Sequence, residues 1–342
     1  MKMISKEQYD LLNELSAEVS IPLQILEKDI LVTELLNSLA SIKVAHNGFK
    51  DNQQQYDTGI NLVFAGGTCL SKAYGVLNRM SEDIDMKVLL DENDNLKFSN
   101  RGRVKALEKA LAIELVRLGH FDSESDLDNH ITIKNNHLYV AINLPYESKF
   151  TAFGALRASI KLELSVRNLY LPTKNQNIEA IYQKHLKETG STFNLNCIDI
   201  QETLAEKVLC LLRRCAFHWA ELAGLDDTLS RHIYDVHCIV SKLGNNIDGA
   251  INMFPDLLRV ELEEFNQHKV LNDKPMDTLA TTLARCENSQ ELIDQYKNKV
   301  EPLIYEGHEV NFEVAFSTFK NVATRLIKSL EITNQPLSKA KP

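Results

Sequence analysis

Several features that would point to a membrane or secreted protein are missing from this chain of 342 residues. No run of about 18 apolar residues occurs, so no membrane-spanning helix is expected. The first residues lack the apolar segment of a secretory signal peptide, and the expectation is a cytoplasmic protein. The six cysteines form no Cys-x-x-Cys pair, which predicts free and mostly buried thiols in a reducing compartment.

Other absences exclude particular binding chemistries. The sequence has no GxxxxGK[ST] phosphate-binding loop and no His/Cys spacing typical of zinc. Aromatic residues make up only 7%, so a stacking platform for single-stranded nucleic acid is not evident. Acidic residues outnumber basic ones by 47 to 38, giving a net charge of −9. This balance argues against a general nucleic-acid coat and is compatible with a local basic groove.

The composition is that of an ordinary globular protein. Hydrophobic residues account for 44% and charged residues for 25% of the chain. These values exclude a disordered chain, a collagen-like repeat and a small disulfide scaffold. At roughly 100–200 residues per domain, the length predicts about two domains, each large enough to bury a core.

Hydrophobic periodicity divides the chain into two parts. The first part mixes strands and helices, whereas residues 201–331 contain only helical candidates. We therefore expect an α+β fold, with one domain over residues 1–195 and an all-helical domain over residues 196–342. The predicted strands are 60–65, 84–90, 131–133, 138–144 and 158–166. The predicted helices are 5–46 with a break near Pro22, 68–78, 101–119, 200–216, 228–243, 246–267, 277–291 and 311–331, and residues 47–59 are predicted to be a loop.

A glycine pair follows the first predicted strand. Gly66, Gly67 and Thr68 come between that strand and a predicted helix. Glycines at this point let the backbone approach a phosphate, and a helix N-terminus offers free N–H groups. The Thr68 hydroxyl would add a donor. A plain structural turn is the alternative explanation for this short motif.

Two carboxylates begin the next predicted strand. Asp83 and Asp85 are two residues apart, so the alternation of a strand points both side chains to one face. Adjacent carboxylates repel each other unless a cation lies between them, and Mg²⁺ prefers such oxygen ligands. The alternative is a solvated strand edge.

These two motifs together are far more specific than either alone, because they place a phosphate-binding turn beside a metal site. This layout resembles the DNA polymerase β-like nucleotidyltransferase superfamily. The wider sequence resembles the nucleotidyltransferase-type toxins of abortive-infection and type IV toxin–antitoxin systems, the AbiEii/AbiGii family. The matching residues are Gly66, Gly67, Thr68, Leu70, Lys72, Tyr74, Gly75, Arg79, Ser81, Glu82, Asp83, Ile84 and Asp85. The resemblance implies a nucleotidyltransferase-like mixed sheet flanked by helices, followed by a helical domain.

Three positions between and beside these motifs are candidates for the nucleotide site. Lys72 and Arg79 would neutralise triphosphate oxygens, and an arginine does so bidentately. The alternative for both is surface solvation or an ion pair with Glu82 or another acid. Ser81 either orients the acids or caps the turn.

Three further candidates follow from the family resemblance. Glu163 on a predicted strand would be the third metal carboxylate, where Asp is commoner, or else an exposed strand carboxylate. Lys207, in the helical motif Glu-Thr-Leu-Ala-Glu-Lys, either snorkels beside an apolar stripe or reaches into a site, and the resemblance favours the site. Asp235 would position Lys207, bind the nucleotide or act as a base; a solvated helix carboxylate is the alternative. His232 departs from the family pattern, in which an acid is common.

The resemblance also implies an activity. The reaction would be metal-dependent transfer of NMP from an NTP, with Mg²⁺ or Mn²⁺ at the carboxylates, by the toxin of a toxin–antitoxin pair. The expected acceptor is RNA, at the 3′ end of tRNA, and the other expected partner is a cognate antitoxin. A small-molecule nucleotidyltransferase and a non-catalytic nucleotide-binding module remain as alternatives, although the presence of both aspartates counts against the module. Candidates for a basic RNA groove are Lys184, Lys187, Arg213, Arg214 and Arg231.

Overall fold

The computed structural model describes residues 1–15, 21–47, 55–92, 99–151, 156–186, 192–266, 269–305 and 307–332. The chain forms two compact units. The first, here called the sheet unit, comprises Met1–Gly75, Arg79–Leu169 and Thr173–Ile198. The second, here called the helical unit, comprises Val76–Asn78, Tyr170–Pro172 and Asp199–Pro342.

The sheet unit is built on a mixed sheet. Over the described residues, its strands are β1 (Ala45–Asn47), β2 (Gln55–Asp57), β3 (Ile60–Ala65), β4 (Asp83–Leu90), β5 (Ile131–Lys134), β6 (Tyr139–Pro145), β7 (Ser159–Val166), β8 (Lys174–Ile178) and β9 (Phe193–Cys197). Its helices are α1 (Lys6–Leu15), α2 (Leu23–Ala40), α3 (Gly66–Lys72), α4 (Asn100–Arg117) and α5 (Ile181–Leu186), with 3₁₀ turns at Glu124–Asn129 and Asn135–His137. Seven strands pair in the order β5-β6-β7-β4-β3-β9-β8. The pairs β4–β7 and β3–β9 are parallel and the others antiparallel.

One face of this sheet is apolar and the other is polar. The alternation of a strand puts Ile84 and Met86 of β4 on the apolar face, where they are buried. They form one hydrophobic core with leucines of α2 and α4, among them Leu35 and Leu107. Burying each such side chain stabilises the fold by roughly 1.5–3 kcal/mol. The carboxylates of β4 consequently lie on the opposite, polar face.

Helix α2 carries three consecutive charged residues that are all buried. Lys28 forms an ion pair of 2.6 Å with Glu82, and Asp29 forms one of 2.6 Å with Lys72. Glu27 accepts hydrogen bonds from the connection that follows β6. Each of the three is therefore hydrogen-bonded or ion-paired. Removing one partner of either ion pair would leave the other charge buried and unpaired, at a cost of about 3–5 kcal/mol.

The helical unit confirms the expectation of an all-helical C-terminal part. Over the described residues it contains α6 (Ile200–Trp219), α7 (Arg231–Leu243), α8 (Asp248–Glu264), α9 (Lys269–Asp273), α10 (Pro275–Cys286), α11 (Gln290–Lys299), a 3₁₀ turn at Glu301–Leu303 and α12 (Phe312–Ile332). In the described parts of the chain, no helix combines the length and the apolar character needed to cross a membrane. The α+β architecture, a mixed sheet flanked by helices and followed by helices, is confirmed.

Several predicted boundaries differ from the structure. The predicted helix 277–291 is two helices, because Ser289 caps a new one by accepting a hydrogen bond from the Leu292 N–H. The predicted helix 68–78 is α3, which begins earlier and ends at Lys72. Strand β1 takes the end of the helix predicted over 5–46, where α2 already ends at Ala40. Strand β2 lies inside the predicted loop 47–59, of which residues 48–54 lie outside the described residues. Strands β8 and β9 were not expected.

His120 makes stability depend on pH. Its side chain is 4% exposed, and burial, together with the positive charge of Lys2, lowers its pKa from 6.5 to about 4. Between these two pKa values the unfolded chain binds a proton at His120 that the folded protein does not. The contribution of neutral His120 to the free energy of unfolding is therefore complete above pH 6.5 and is lost as the pH falls towards 4. The interval corresponds to about 3 kcal/mol. We expect His120→Leu to flatten the pH dependence of urea unfolding between pH 4 and 7; parallel curves for both proteins would contradict it.

Candidate active site

The glycine pair and the aspartate pair lie side by side. In the antiparallel pairing of β3 with β4, Ala65 is directly opposite Asp85. The chain leaves β3 at Gly66, which has a φ of +73°. A Cβ atom built there would collide with the Asp85 carboxylate. Gly66 is thus needed for its backbone conformation and for the close approach of the turn to Asp85.

Two of the predicted nucleotide-binding residues flank the second glycine. A Cβ on Gly67 would lie 2.7 Å from the Ser81 Oγ and 3.3 Å from an Arg79 guanidinium nitrogen. Arg79 is buried, and its Nη1 donates to the Met80 carbonyl at 2.8 Å. The structure therefore places Arg79 and Ser81 beside the glycine turn.

Thr68 and Lys72 are engaged elsewhere. The buried Thr68 hydroxyl donates to the backbone carbonyl of Asp83, which ties α3 to the start of β4. Lys72 points into the fold, where its ammonium pairs with Asp29 and donates to the Thr33 hydroxyl at 2.7 Å. Lys72 therefore does not reach the face that carries the carboxylates. Of the two roles considered for it, an ion pair with an acid is the one that the structure has. The reason is that a buried ammonium needs a carboxylate, which α2 supplies.

A third carboxylate joins the two aspartates through strand register. Strands β4 and β7 run parallel, with Asp85 opposite Glu163 and Asp83 opposite Lys161. Adjacent strands are about 4.8 Å apart, so the carboxylates of Asp83, Asp85 and Glu163 share one small area of the polar face. The three predicted metal ligands thus lie on one face of two neighbouring strands.

Cations and a tyrosine surround these carboxylates. The Arg157 Nη2 lies 2.5 Å from the Asp83 Oδ1, and Lys161 pairs with Glu163. Burial raises the pKa of the Tyr139 hydroxyl, and the negative charges of Glu163, Asp85 and Asp83 raise it further. Neither Arg157 nor Tyr139 was expected at this site. Only strand register and a contact across 74 residues bring them here, so no local motif signals them.

The donor set fits a hard divalent cation. Carboxylate oxygens on neighbouring strands are the ligands that Mg²⁺ and Mn²⁺ prefer. Among the described residues, no three His, Cys, Asp or Glu side chains lie close enough together to hold an ion. Arg157 and Lys161 are the counter-ions of this face instead.

The helical unit contains the other two predicted catalytic residues, and they contact each other. The Lys207 Nζ on α6 lies 2.7 Å from an Asp235 carboxylate oxygen on α7. The Lys207 side chain is 9% exposed and that of Asp235 is fully buried. The solvated-carboxylate alternative for Asp235 is therefore wrong. A contact of this kind is what the positioning role for Asp235 requires.

Of the five candidates for a basic groove, the structure describes the side chains of three, and these three have other partners. Arg213 is buried, pairs with Glu261 at 2.6 Å and stacks on Phe265. Arg214 pairs with Asp226. Arg231 begins α7 and has partners of its own. Lys187 and the side chain of Lys184 lie outside the described residues.

The close approach of Gly66 to Asp85 predicts that a side chain at position 66 disturbs the site. Gly66→Ala places a methyl group against the Asp85 carboxylate at a residue with positive φ. We expect nucleotide transfer to fall by about 10- to 100-fold because small displacements at a reacting site are costly. Gly119→Ala is the matched control, since Gly119 also has a positive φ but an open Cβ position. Equal activity losses in both variants would show that backbone strain alone is responsible.

Solved structures that match this chain at low identity include the following three. MenT4, a nucleotidyltransferase toxin from Mycobacterium tuberculosis H37Rv, is 17% identical over 63% of this chain and 67% of its own, with a TM-score of 0.34. JHP933 from Helicobacter pylori is 18% identical over 90% and 94%, with a TM-score of 0.35. An antigenic nucleotidyltransferase-like protein from Paracoccidioides brasiliensis is 14% identical over 81% and 94%, with a TM-score of 0.31. A search of curated proteins finds no match.

A family model decides the assignment. The model of the nucleotidyl transferase AbiEii toxin of type IV toxin–antitoxin systems matches residues 54–320. This range contains the glycine turn, the three carboxylates and the Lys207–Asp235 pair. The chain therefore belongs to the AbiEii family of nucleotidyltransferase toxins.

Proposed function

We propose that the protein transfers NMP from an NTP to the 3′ hydroxyl of an RNA, with the 3′ end of tRNA as the acceptor. The 3′ hydroxyl releases its proton to solvent and its oxygen forms a bond to the α-phosphorus. The bond from the α-phosphorus to the oxygen that bridges the α- and β-phosphates breaks, and pyrophosphate leaves. One observation carries the proposal: Asp83, Asp85 and Glu163 share one face of the sheet beside a glycine turn.

The carboxylates are the proposed ligands of Mg²⁺ or Mn²⁺. A cation held there would supply Lewis-acid chemistry, polarising the α-phosphate and lowering the pKa of the attacking hydroxyl. The Gly66-Gly67 turn allows the backbone to approach the phosphates, with Arg79 and Ser81 beside it. Thr68 holds the turn against β4 through its hydroxyl, so we assign it to the geometry of the site.

Lys207 and Asp235 are the proposed second group of functional residues. Lys207 supplies positive charge for the negative charge that develops in the transition state. Asp235 fixes the position of the Lys207 ammonium through their 2.7 Å contact. This is the role, among the three that the sequence left open, for which a direct contact exists.

Two observations support an RNA acceptor over a cationic small molecule. Membership of a toxin family implies a cellular target and an antitoxin partner. In addition, Arg157 and Lys161 adjoin the carboxylates, and positive side chains there suit a polyanionic substrate better than a cationic one. NTP and tRNA meet in the cytoplasm, which is the proposed place of action.

The test is label transfer. The full-length protein is incubated with Mg²⁺ and each α-labelled NTP, with total tRNA as the acceptor. A second sample contains tRNA whose terminal ribose has been oxidised by periodate. Label that appears only in intact tRNA supports the proposal and identifies the nucleotide. Label in neither sample, despite metal-dependent NTP binding, would reject tRNA and favour a small-molecule acceptor or a non-catalytic module.

A further inference from the structure

The main chain of Arg157 is fixed by a buried ion pair. Its N–H donates to a Glu82 carboxylate oxygen at 2.8 Å, and its carbonyl accepts from the Lys28 Nζ at 2.8 Å. Lys28 and Glu82 pair with each other at 2.6 Å, and their side chains are 0% and 1% exposed. Burial lowers the pKa of Lys28. Burial acts to raise the pKa of Glu82, but the contacts of Glu82 with Lys28 and Arg157 together lower it. The backbone at Arg157 is thus held on both sides.

The side chain of Arg157 is much less constrained. It is 42% exposed, and its guanidinium reaches Asp83 at 2.5 Å, with a longer approach of 3.8 Å to Glu82. Burial lowers the pKa of Arg157, but Asp83, Glu82 and Glu163 together raise it. A long cationic side chain on a fixed base therefore rests on one of the proposed metal ligands.

We propose that Arg157 is an exchangeable ligand of this site: it pairs with Asp83 until a divalent cation takes that carboxylate, and it then binds the triphosphate. The inference rests on the proposed function. A guanidinium and a divalent cation repel each other, so they compete for the Asp83 carboxylate. The displaced guanidinium keeps a planar set of donors that matches phosphate oxygens bidentately. Its fixed main chain keeps it within reach of the carboxylates.

The proposal predicts two changes of opposite sign in Arg157→Ala. Without nucleotide, Mn²⁺ should bind about fivefold more tightly, because its competitor for Asp83 is gone. At saturating Mn²⁺, a non-hydrolysable α,β-methylene NTP should bind about tenfold more weakly, because a charged hydrogen bond to phosphate is lost. Free Mn²⁺ is measured by electron paramagnetic resonance and nucleotide binding by calorimetry. Arg157→Lys should fall between the variant and the wild type.

The controls separate this inference from the function on which it rests. The substitution leaves the main-chain contacts of Arg157 in place, so the fold is retained, and thermal melting checks this. Arg259→Ala removes a surface arginine of α8 that pairs with Asp256 and Glu263, and it should change neither affinity. If Arg157→Ala bound both Mn²⁺ and nucleotide more weakly, Arg157 would have only a structural role. That result would overturn this inference and leave the proposed function standing. Failure of the wild type to bind Mn²⁺ and nucleotide would overturn the proposed function as well.

Discussion

Asp85→Asn is expected to reduce NMP transfer by on the order of 10³-fold while leaving the fold intact. Asp85 lies opposite Glu163 across β4 and β7 and against Gly66 at the end of β3. Its carboxylate is therefore the one that adjoins both the proposed metal ligands and the proposed phosphate turn. Asparagine has the same shape but lacks the negative charge that a hard cation requires.

The measurement is the initial rate of label transfer, with thermal melting of each variant. Glu163→Gln should cause a loss of similar kind, on the order of 10²-fold, if Glu163 is the third ligand. Asp10→Asn changes one exposed carboxylate of α1 and should leave the rate unchanged. Transfer by Asp85→Asn at the wild-type rate would remove the carboxylates from the mechanism.

The centre of the candidate site could be predicted because its signals are local. A glycine pair between a strand and a helix predicts a tight turn from a few neighbouring residues. Carboxylates two residues apart on a strand likewise predict a shared face. Alternation along residues 158–166 likewise predicts the face of Glu163. The register that puts Glu163 opposite Asp85 has no local signal. It pairs residues 78 positions apart in the chain and follows from the whole sheet.

The buried charges could not be predicted from local pattern. Apolar residues of α2 repeat with helical spacing, which suggests that Glu27, Lys28 and Asp29 face solvent. All three are buried, because their partners come from distant parts of the chain. Lys28 meets Glu82 across 54 residues. The same long-range pairing directs Lys72 into the fold and Arg157 to Asp83.

Strands β8 and β9 were missed because of their composition. Their sequences are Lys-Asn-Gln-Asn-Ile and Phe-Asn-Leu-Asn-Cys, in which asparagines occupy alternate positions. Asparagine is depleted in strands, so the pattern favours a loop. The apolar positions Leu195 and Cys197 are buried in the core, whereas Asn194 and Asn196 are exposed. Tertiary packing of one face outweighs the low intrinsic preference of the other.

The Lys207–Asp235 pair gives the second large expected effect. Lys207→Met and Asp235→Asn should each reduce transfer by on the order of 10²-fold or more, because each removes the correctly placed ammonium. The double variant should be little worse than either single one, since residues that act as a unit are not additive. Losses that multiply would show that the two residues act separately and would reject the positioning role of Asp235.

Unfolding free energies provide an independent check on this pair. Asp235→Asn leaves a buried ammonium without its carboxylate, so the loss of stability should be about 3–5 kcal/mol. Adding Lys207→Met should recover part of that loss, because the uncompensated charge is then removed. Lys320 and Glu287 form the matched control, with an equal distance of 2.7 Å but 44% exposure on both sides. Breaking that exposed pair with Lys320→Met should cost less than about 1 kcal/mol. A Lys207–Asp235 pair that behaves like the exposed pair in urea unfolding would show that burial does not couple these two charges.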